Sequence, residues 1–374
     1  MESALRRAGR RHYSDLSFVE PLRRLLFAYD READLSRFGR HAVRFDVLRC
    51  LTNFLRLDRA EEENPAIIAR PIEKPIFITG LPRSATTFLH TLLALDPAHA
   101  APRCWQMIYP YPSSVLGMNV RKAEVDHQLL MFRLLSPGVD QLHPMAAGTP
   151  QECTDITAHV FQSLRFDTTH RIPSYQRWLD VHGHDAAFRF HRRFLQHLDA
   201  QAPGRRWVLK SPDHVFSLAA IRKIYPDARI VFLHRDPLSV VASCLKLAEL
   251  LRKPFTRHID RNELGDQVSG RLVESAEEMA RAASRDPGIL HLHYRKIVTA
   301  PMEAVRTLYD HYGLDLSKDA ETRMKAWLTR SHGHRHPRYR LEEFGLDPRD
   351  LGRRFAHYMQ AFGVISEASA TQLH

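Results

Sequence analysis

The stretch IFITGLPRSATTFLHTLL, residues 76–93, sets the terms for the whole chain. Ile76–Thr79 is a short apolar, β-branched run that predicts a buried strand. Gly80–Ala85 predicts a loop, and Thr86 to about Leu95 a helix that Asp96-Pro97 ends. A strand, a tight loop and a helix N-terminus together make an anion site, because first-turn N–H groups lack intrahelical acceptors and the dipole favours negative charge. The triphosphate-binding pattern GxxxxGK[ST] fits only partly. Gly80 and Thr87 keep their places, Ala85 stands for the second glycine and Thr86 for the lysine. No lysine there reaches β/γ-phosphates; Arg83, inside the loop, supplies positive charge instead.

The rest of the chain repeats the alternation. Trp207-Val208-Leu209 predicts a strand ending at Lys210-Ser211-Pro212, with a helix over about 214–224. Ala228–Leu233 predicts a buried parallel strand, and Asp236-Pro237 opens a helix with an N-cap and a first-turn proline. A strand over Ile289–Tyr294 precedes a helix from about Pro301. Strands that alternate with helices imply a parallel sheet covered on both faces. The fold expected is α/β: a P-loop-like three-layer domain with a central parallel sheet, plus an N-terminal helical extension. The extension spans residues 1–70, with Glu61–Pro65 read as its linker. The domain spans 71–374, with a helical acceptor-side insertion over about 100–205.

The 374 residues carry 54 Lys and Arg against 43 Asp and Glu, a net charge of +11. This surplus favours anionic ligands, nucleic acid or membrane surfaces. The arginines are spread along the chain with no reader module, so nucleic acid is not expected as a partner. Four cysteines, Cys50, Cys104, Cys153 and Cys244, form no CxxC pair, which points to a reducing compartment, the cytoplasm. The first residues lack the apolar core of a signal peptide, and no run of about 18 apolar residues predicts a spanning helix. SHGHRHPRYR, residues 331–340, alternates His332, His334 and His336 without a companion carboxylate or cysteine, so no metal site is expected.

Taken with PRSATTF, the segments LKSPDH (209–214) and HRDP (234–237), the latter with Ser243 eight residues after Arg235, resemble the PAPS-dependent sulfotransferases. The bacterial branch related to tyrosylprotein sulfotransferases is the most similar. The likeness continues through RYRLEEFGLDP and FAHYMQAFG, over roughly residues 70–365. It implies 3′-phosphoadenosine 5′-phosphosulfate as co-substrate and no metal. It places the 5′-phosphosulfate on Arg83, Ser84, Ala85, Thr86 and Thr87, and the 3′-phosphate on Arg235 and Ser243. Arg338, with Arg335, is the candidate for a late basic segment over the donor. Arg83 and Lys210 are the groups expected to stabilise charge as the sulfuryl group moves, Lys210 at the bridging oxygen.

Related sequences often carry a glutamate after a tryptophan beyond the first helix. This chain has Trp105-Gln106, and glutamine takes up no proton. The general base is therefore assigned to Glu152 in GTPQECTD, expected to open a helix, with His143 in reserve. His214 is read as packing or capping at its helix start, with a catalytic role as the alternative. Tyr175 and Trp178 are read as core rather than acceptor pocket. The acceptor stays open among carbohydrate, lipid, polyketide-like metabolite and phenol. Competing readings are a donor-binding pseudoenzyme, because of Gln106, and a P-loop NTPase or kinase.

Overall fold

A computed structural model describes residues 1–10, 12–13, 15–111, 117–330 and 339–367. Five parallel strands form one sheet: β1 (Ile76–Gly80), β2 (His99–Ala100), β3 (Arg206–Lys210), β4 (Arg229–His234) and β5 (Leu290–His293), in the order β2-β3-β1-β4-β5. β1 is central. It pairs with β3 through Ile78 and Lys210, and with β4 through Gly80 and Leu233.

Alternation along the strands builds two cores. Ile76, Ile78, Val208, Val231 and Leu233 face a cluster with Leu89, Leu92, Val305 and Leu308. Phe77, Leu209, Ile230 and Phe232 face the larger cluster, with Phe161, Phe194, Tyr225 and Val240. Both faces are thus covered by helices, the three-layer arrangement expected. Residues of the N-terminal helices Val19–Arg31 and Arg37–Glu63, such as Leu25, Phe54 and Leu55, join the larger cluster.

The expected elements are present with shifted ends. Glu61, Glu62 and Glu63 are the last turn of Arg37–Glu63 rather than a linker, and the chain leaves the helix at Asn64. Glu61 is held there by Arg193 at 2.9 Å and by His197 at 2.8 Å, contacts no local pattern shows. Residues 212–217 form a 3₁₀ turn before the helix Leu218–Ile224. Asp236 caps Pro237–Arg252, its carboxylate accepting from the Leu238 N–H at 3.1 Å. The two-residue β2 and the long helix Arg261–Arg285 had no counterpart among the expected elements.

Gly80 is required by packing as well as conformation. Its φ is +127°, and a Cβ would lie 2.3 Å from Leu233 O on β4. β1 therefore approaches β4 closely where the chain turns into the loop. The carboxyl ends of β3, β1 and β4 lie side by side around this point, where open parallel sheets bind ligands.

Candidate active site

The loop after β1 holds two non-glycine residues at positive φ, Arg83 (63°) and Ala85 (67°). Left-handed backbone costs a Cβ-bearing residue on the order of 1–2 kcal/mol. Ala85 is the residue immediately before the helix Thr86–Leu93, and it takes a conformation that glycine adopts at no steric cost. Strain of this kind is retained where the surroundings over-determine the backbone, as at ligand cradles. Ser84 is fully buried in the loop, and its Oγ has no hydrogen-bond partner among the described residues. A buried hydroxyl without a partner, beside the open N–H groups of a helix start, fits an anion as the missing acceptor.

Lys210 ends β3, directly beside β1, with 1% of its surface exposed. Its Nζ donates to Thr87 Oγ1 at 3.1 Å and to Glu152 Oε1 at 2.5 Å. One ammonium thus joins the anion loop to the only carboxylate it pairs with among the described residues. Backbone bonds explain why Glu152 reaches it. The Cys153 N–H donates to Lys210 O at 2.9 Å, and the Gln151 N–H donates to Pro102 O at 3.0 Å. Glu152 precedes the helix Thr154–Thr157 instead of opening it, so ion pairing rather than a helix dipole holds it.

Electrostatics keep Glu152 ionised. Burial pushes its pKa up, but the Lys210 charge, the neighbouring His143 and the Lys210 hydrogen bond outweigh this and hold it below the usual glutamate value. A quarter of the side chain, 24%, stays exposed. His143 faces the same group. Burial pulls its pKa down to about 4, Glu152 acting against this and Lys210 and Arg83 with it, so the ring is neutral near pH 7.

Arg83 and Arg235 meet on the other flank. Arg83 Nε donates to Ser243 Oγ at 3.1 Å. Ser243 lies in the second turn of Pro237–Arg252. Arg235 donates through one terminal nitrogen to Arg83 O at 2.6 Å. Its guanidinium lies 4.0 Å from the centre of the Tyr294 ring. It also grips Glu367, Nε to Oε1 at 2.7 Å and the second terminal nitrogen to Oε2 at 3.2 Å. Burial opposes the Arg235 charge, and the Glu367 hydrogen bonds and charge raise its pKa in spite of that. A planar fork that accepts a carboxylate in this way is shaped equally for a phosphate.

Of the residues singled out from the sequence, Arg83, Thr87, Glu152, Lys210, Arg235, Ser243 and His143 come together, with Ser84, Ala85 and Thr86 forming the loop between them. Arg335, Arg338, His332, His334 and His336 lie outside the described residues. Gln106 serves its own helix. Its Oε1 accepts from the Arg103 N–H at 3.0 Å, closing the first turn of Cys104–Ile108. His214 packs edge-on against Phe77 at 5.1 Å, 3% exposed, which is the packing role. Tyr175 is 1% exposed and donates to Phe161 O at 2.8 Å, and Trp178 stacks on His182 at 4.5 Å; both belong to the core region. Glu367 was missed altogether, since nothing in the sequence ties it to a residue 132 positions earlier. All four cysteines are free. Among the described residues no group of three or more His, Cys, Asp or Glu is arranged to hold a metal, and no helix is long and apolar enough to cross a membrane.

Known proteins share this fold. Residues 75–318 match the sulfotransferase family. The crystal structure of sulfotransferase STF9 from Mycobacterium avium superposes with a TM-score of 0.86 at 28% identity, covering 98% of this chain and 96% of that one. Sulfotransferase STF1 from Mycobacterium tuberculosis gives 0.84 at 29% identity, covering 95% and 97%. The omega-hydroxy-beta-dihydromenaquinone-9 sulfotransferase of Mycobacterium bovis is 24% identical over 319 residues, 79% of this chain and 76% of that protein. The family match takes in β1 and the loop after it, β3 with Lys210, β4 with Arg235 and β5; the chain belongs to the sulfotransferase family and is an enzyme that transfers sulfate.

Proposed function

We propose that the chain moves a sulfuryl group from 3′-phosphoadenosine 5′-phosphosulfate to a hydroxyl of a small acceptor, with Glu152 as general base. The observation that carries this is the placement of Lys210 Nζ between Thr87 Oγ1 and Glu152 Oε1. The loop 83–87 would hold the 5′-phosphosulfate, its N–H groups and Ser84 Oγ meeting the oxygens. Arg235 and Ser243 would hold the 3′-phosphate, Arg235 exchanging Glu367 for it, and Arg338 remains a proposed donor contact from the late basic segment. Glu152 takes the acceptor proton as the new O–S bond forms. The bond from sulfur to the bridging oxygen breaks, and the 5′-phosphate oxygen leaves with the charge. Lys210 and Arg83 stabilise that charge; no metal is required by this donor set.

The acceptor of the relative from Mycobacterium bovis is a menaquinone derivative with an omega-hydroxyl, so a hydroxyl on a long-chain lipid is the first class to test. Purified protein is incubated with sulfur-labelled donor and a panel of hydroxylated lipids, phenols and glycans, with chelator present. Sulfate transfer without metal is expected. Thermal melting with adenosine 3′,5′-bisphosphate, again without metal, checks the donor site separately, since a ligand of the folded state raises stability by mass action. An unmoved melting temperature at saturating bisphosphate would reject the donor assignment.

A further inference from the structure

The helix Gly117–Leu135 ends in Leu129-Leu130-Met131-Phe132-Arg133-Leu134-Leu135, six apolar residues in seven. Only Gly117 and Val125 of its 19 residues are buried. Leu130, Met131, Leu134 and Leu135 are 43–65% exposed, with Met118 and Val120 exposed towards the other end. A helix this apolar normally buries its face against the protein; here the face has no cover among the described residues. The apolar surface continues past the helix. Phe132 stacks on Phe255 at 6.1 Å, and Phe255 stacks on Phe38 at 6.0 Å. Phe38 is 46% exposed, and Phe45, two turns further along the same helix, 51%.

Basic side chains border this surface. Arg37, Arg40 and Arg44 are exposed on the helix that carries Phe38 and Phe45, and Lys253 is exposed beside Phe255. No ion pair among the described residues involves these four. Most acids nearby are already paired: Asp34 with Arg257, Asp46 with Arg49 and Arg165, and Asp140 with Arg133; Asp126, exposed one turn before Leu130, accepts the Ala147 N–H at 2.8 Å and offsets one of the four cations. Next to Phe255, a groove of about 300 Å³ is lined by Lys246, Lys253, Arg257, His258 and Arg261, with Glu249 its one acid.

We propose that this face docks on the surface of an anionic lipid bilayer, Leu130, Met131, Leu134, Leu135, Phe38 and Phe45 entering the interface and the arginines and Lys253 meeting lipid phosphates. An amphipathic surface with exposed leucine and phenylalanine and a basic fringe has the composition that lies in a membrane interface. A second copy of the chain fits less well. Twofold pairing would set the face against itself and bring its basic fringes together with too few acids to offset them. The docked surface also adjoins the chemistry. From Leu135 the chain runs through the short helix Val139–Leu142 to His143, which faces Glu152.

Vesicle cosedimentation tests this. Full-length protein is spun with vesicles of phosphatidylglycerol and phosphatidylcholine, with vesicles of phosphatidylcholine alone, and without lipid. Binding to the anionic vesicles is expected, with loss on pure phosphatidylcholine and on raising salt from about 0.1 to about 0.5 M. Each basic residue near the surface is worth about fivefold in partitioning. Arg40→Glu with Arg44→Glu should therefore weaken binding by more than tenfold, and Met131→Asp with Leu134→Asp should abolish it. All four substitutions are at exposed positions, and an intact bisphosphate-induced melting shift shows that each variant is folded. Wild-type protein that stays off anionic vesicles overturns the proposal, as does Met131→Asp/Leu134→Asp binding them as tightly as wild type. Light scattering that shows a wild-type dimer, made monomeric by Leu134→Asp, with no vesicle binding, assigns the face to a second copy instead.

Discussion

The two halves of the active site are built by different means. The proposed donor half is strand ends and the turns that follow them: Gly80 to Thr87 after β1, Lys210 closing β3, Arg235 after β4. Its positions are set by ladder register, so Ile78 lies beside both Lys210 and Val231. The proposed acceptor half comes from short helices and loops within residues 100–205. The base proposed there, Glu152, is held through the backbone bond from the Cys153 N–H to Lys210 O and an ion pair to Lys210 Nζ. The proposed donor half is thus placed by sheet topology, whereas the proposed acceptor half is docked onto it. The difference predicts that damage to the acceptor half costs turnover, and damage to the donor half costs nucleotide affinity.

The largest effect expected is at that docking point. Glu152→Gln keeps the volume and an acceptor for Lys210 but removes the proton acceptor, and loss of a general base costs about 10²–10⁴ in rate. Sulfate transfer should fall by that much while the bisphosphate melting shift stays near that of wild type. The same assignment fixes a pH profile. Because Lys210 holds the Glu152 pKa below its usual value, the carboxylate stays charged, and competent, as pH falls from about 8 to about 5. kcat/KM should be flat over that range on the acid side. Burial, with the Glu152 charge adding to it, pushes the neighbouring Asp213 carboxyl up to about 7, so an acid limb centred near pH 6.5 that persists in Asp213→Asn would remove Glu152 from the role. It would remove His143 as well, since burial holds that ring at about 4. Full turnover in Glu152→Gln would break the comparison itself, because the acceptor half would then contribute no base.

Arg235→Ala tests the donor half. Losing a charge-assisted, forked contact costs about 1.5–3 kcal/mol, roughly tenfold to a hundredfold in affinity. The loss should appear for adenosine 3′,5′-bisphosphate and be much smaller for adenosine 5′-monophosphate, which lacks the 3′-phosphate. Equal losses, read by calorimetry, would mean that Arg235 supports the loop through Arg83 O rather than reading the nucleotide.

The contrast also explains what the sequence disclosed. Arg83, Lys210, Arg235 and Ser243 were singled out through the resemblance, which rests on short motifs at strand ends, whereas the strands and turns that carry them were legible from local order: an apolar run, Gly80 where a Cβ would strike Leu233 O, a cap at Asp236. Glu152 was reached through its residue type and its turn, but its partner was not legible, since Lys210 lies 58 positions away and only the folded chain joins them. The last turn at Glu61–Glu63 was misread for the same reason, its hold being Arg193 and His197. β2, two residues long, has no period to detect. The apolar run Leu129–Leu135 carries the opposite lesson: such a helical stretch ordinarily packs inward, and only the fold shows Leu130, Met131, Leu134 and Leu135 exposed.

The smallest effect concerns the junction between the donor half and the chain's end. Glu367 holds the Arg235 guanidinium, and its N–H donates to Asp236 Oδ2 at 3.1 Å, so the segment sits over the end of β4. If Arg235 reads the 3′-phosphate, the nucleotide must displace that carboxylate. The pair is partly exposed, with 42% of the Glu367 side chain open to solvent, and exposed pairs are worth about 0.2–1 kcal/mol. Glu367→Gln should therefore tighten bisphosphate binding by up to about fivefold, leave adenosine 5′-monophosphate nearly unchanged, and lose its advantage as salt screens the pair. Tightening for both nucleotides alike would place the competition at the loop instead. No change for either would mean that Glu367 and the 3′-phosphate do not share the guanidinium, and that this end of the crevice is open to the nucleotide whether or not the C-terminal segment is in place.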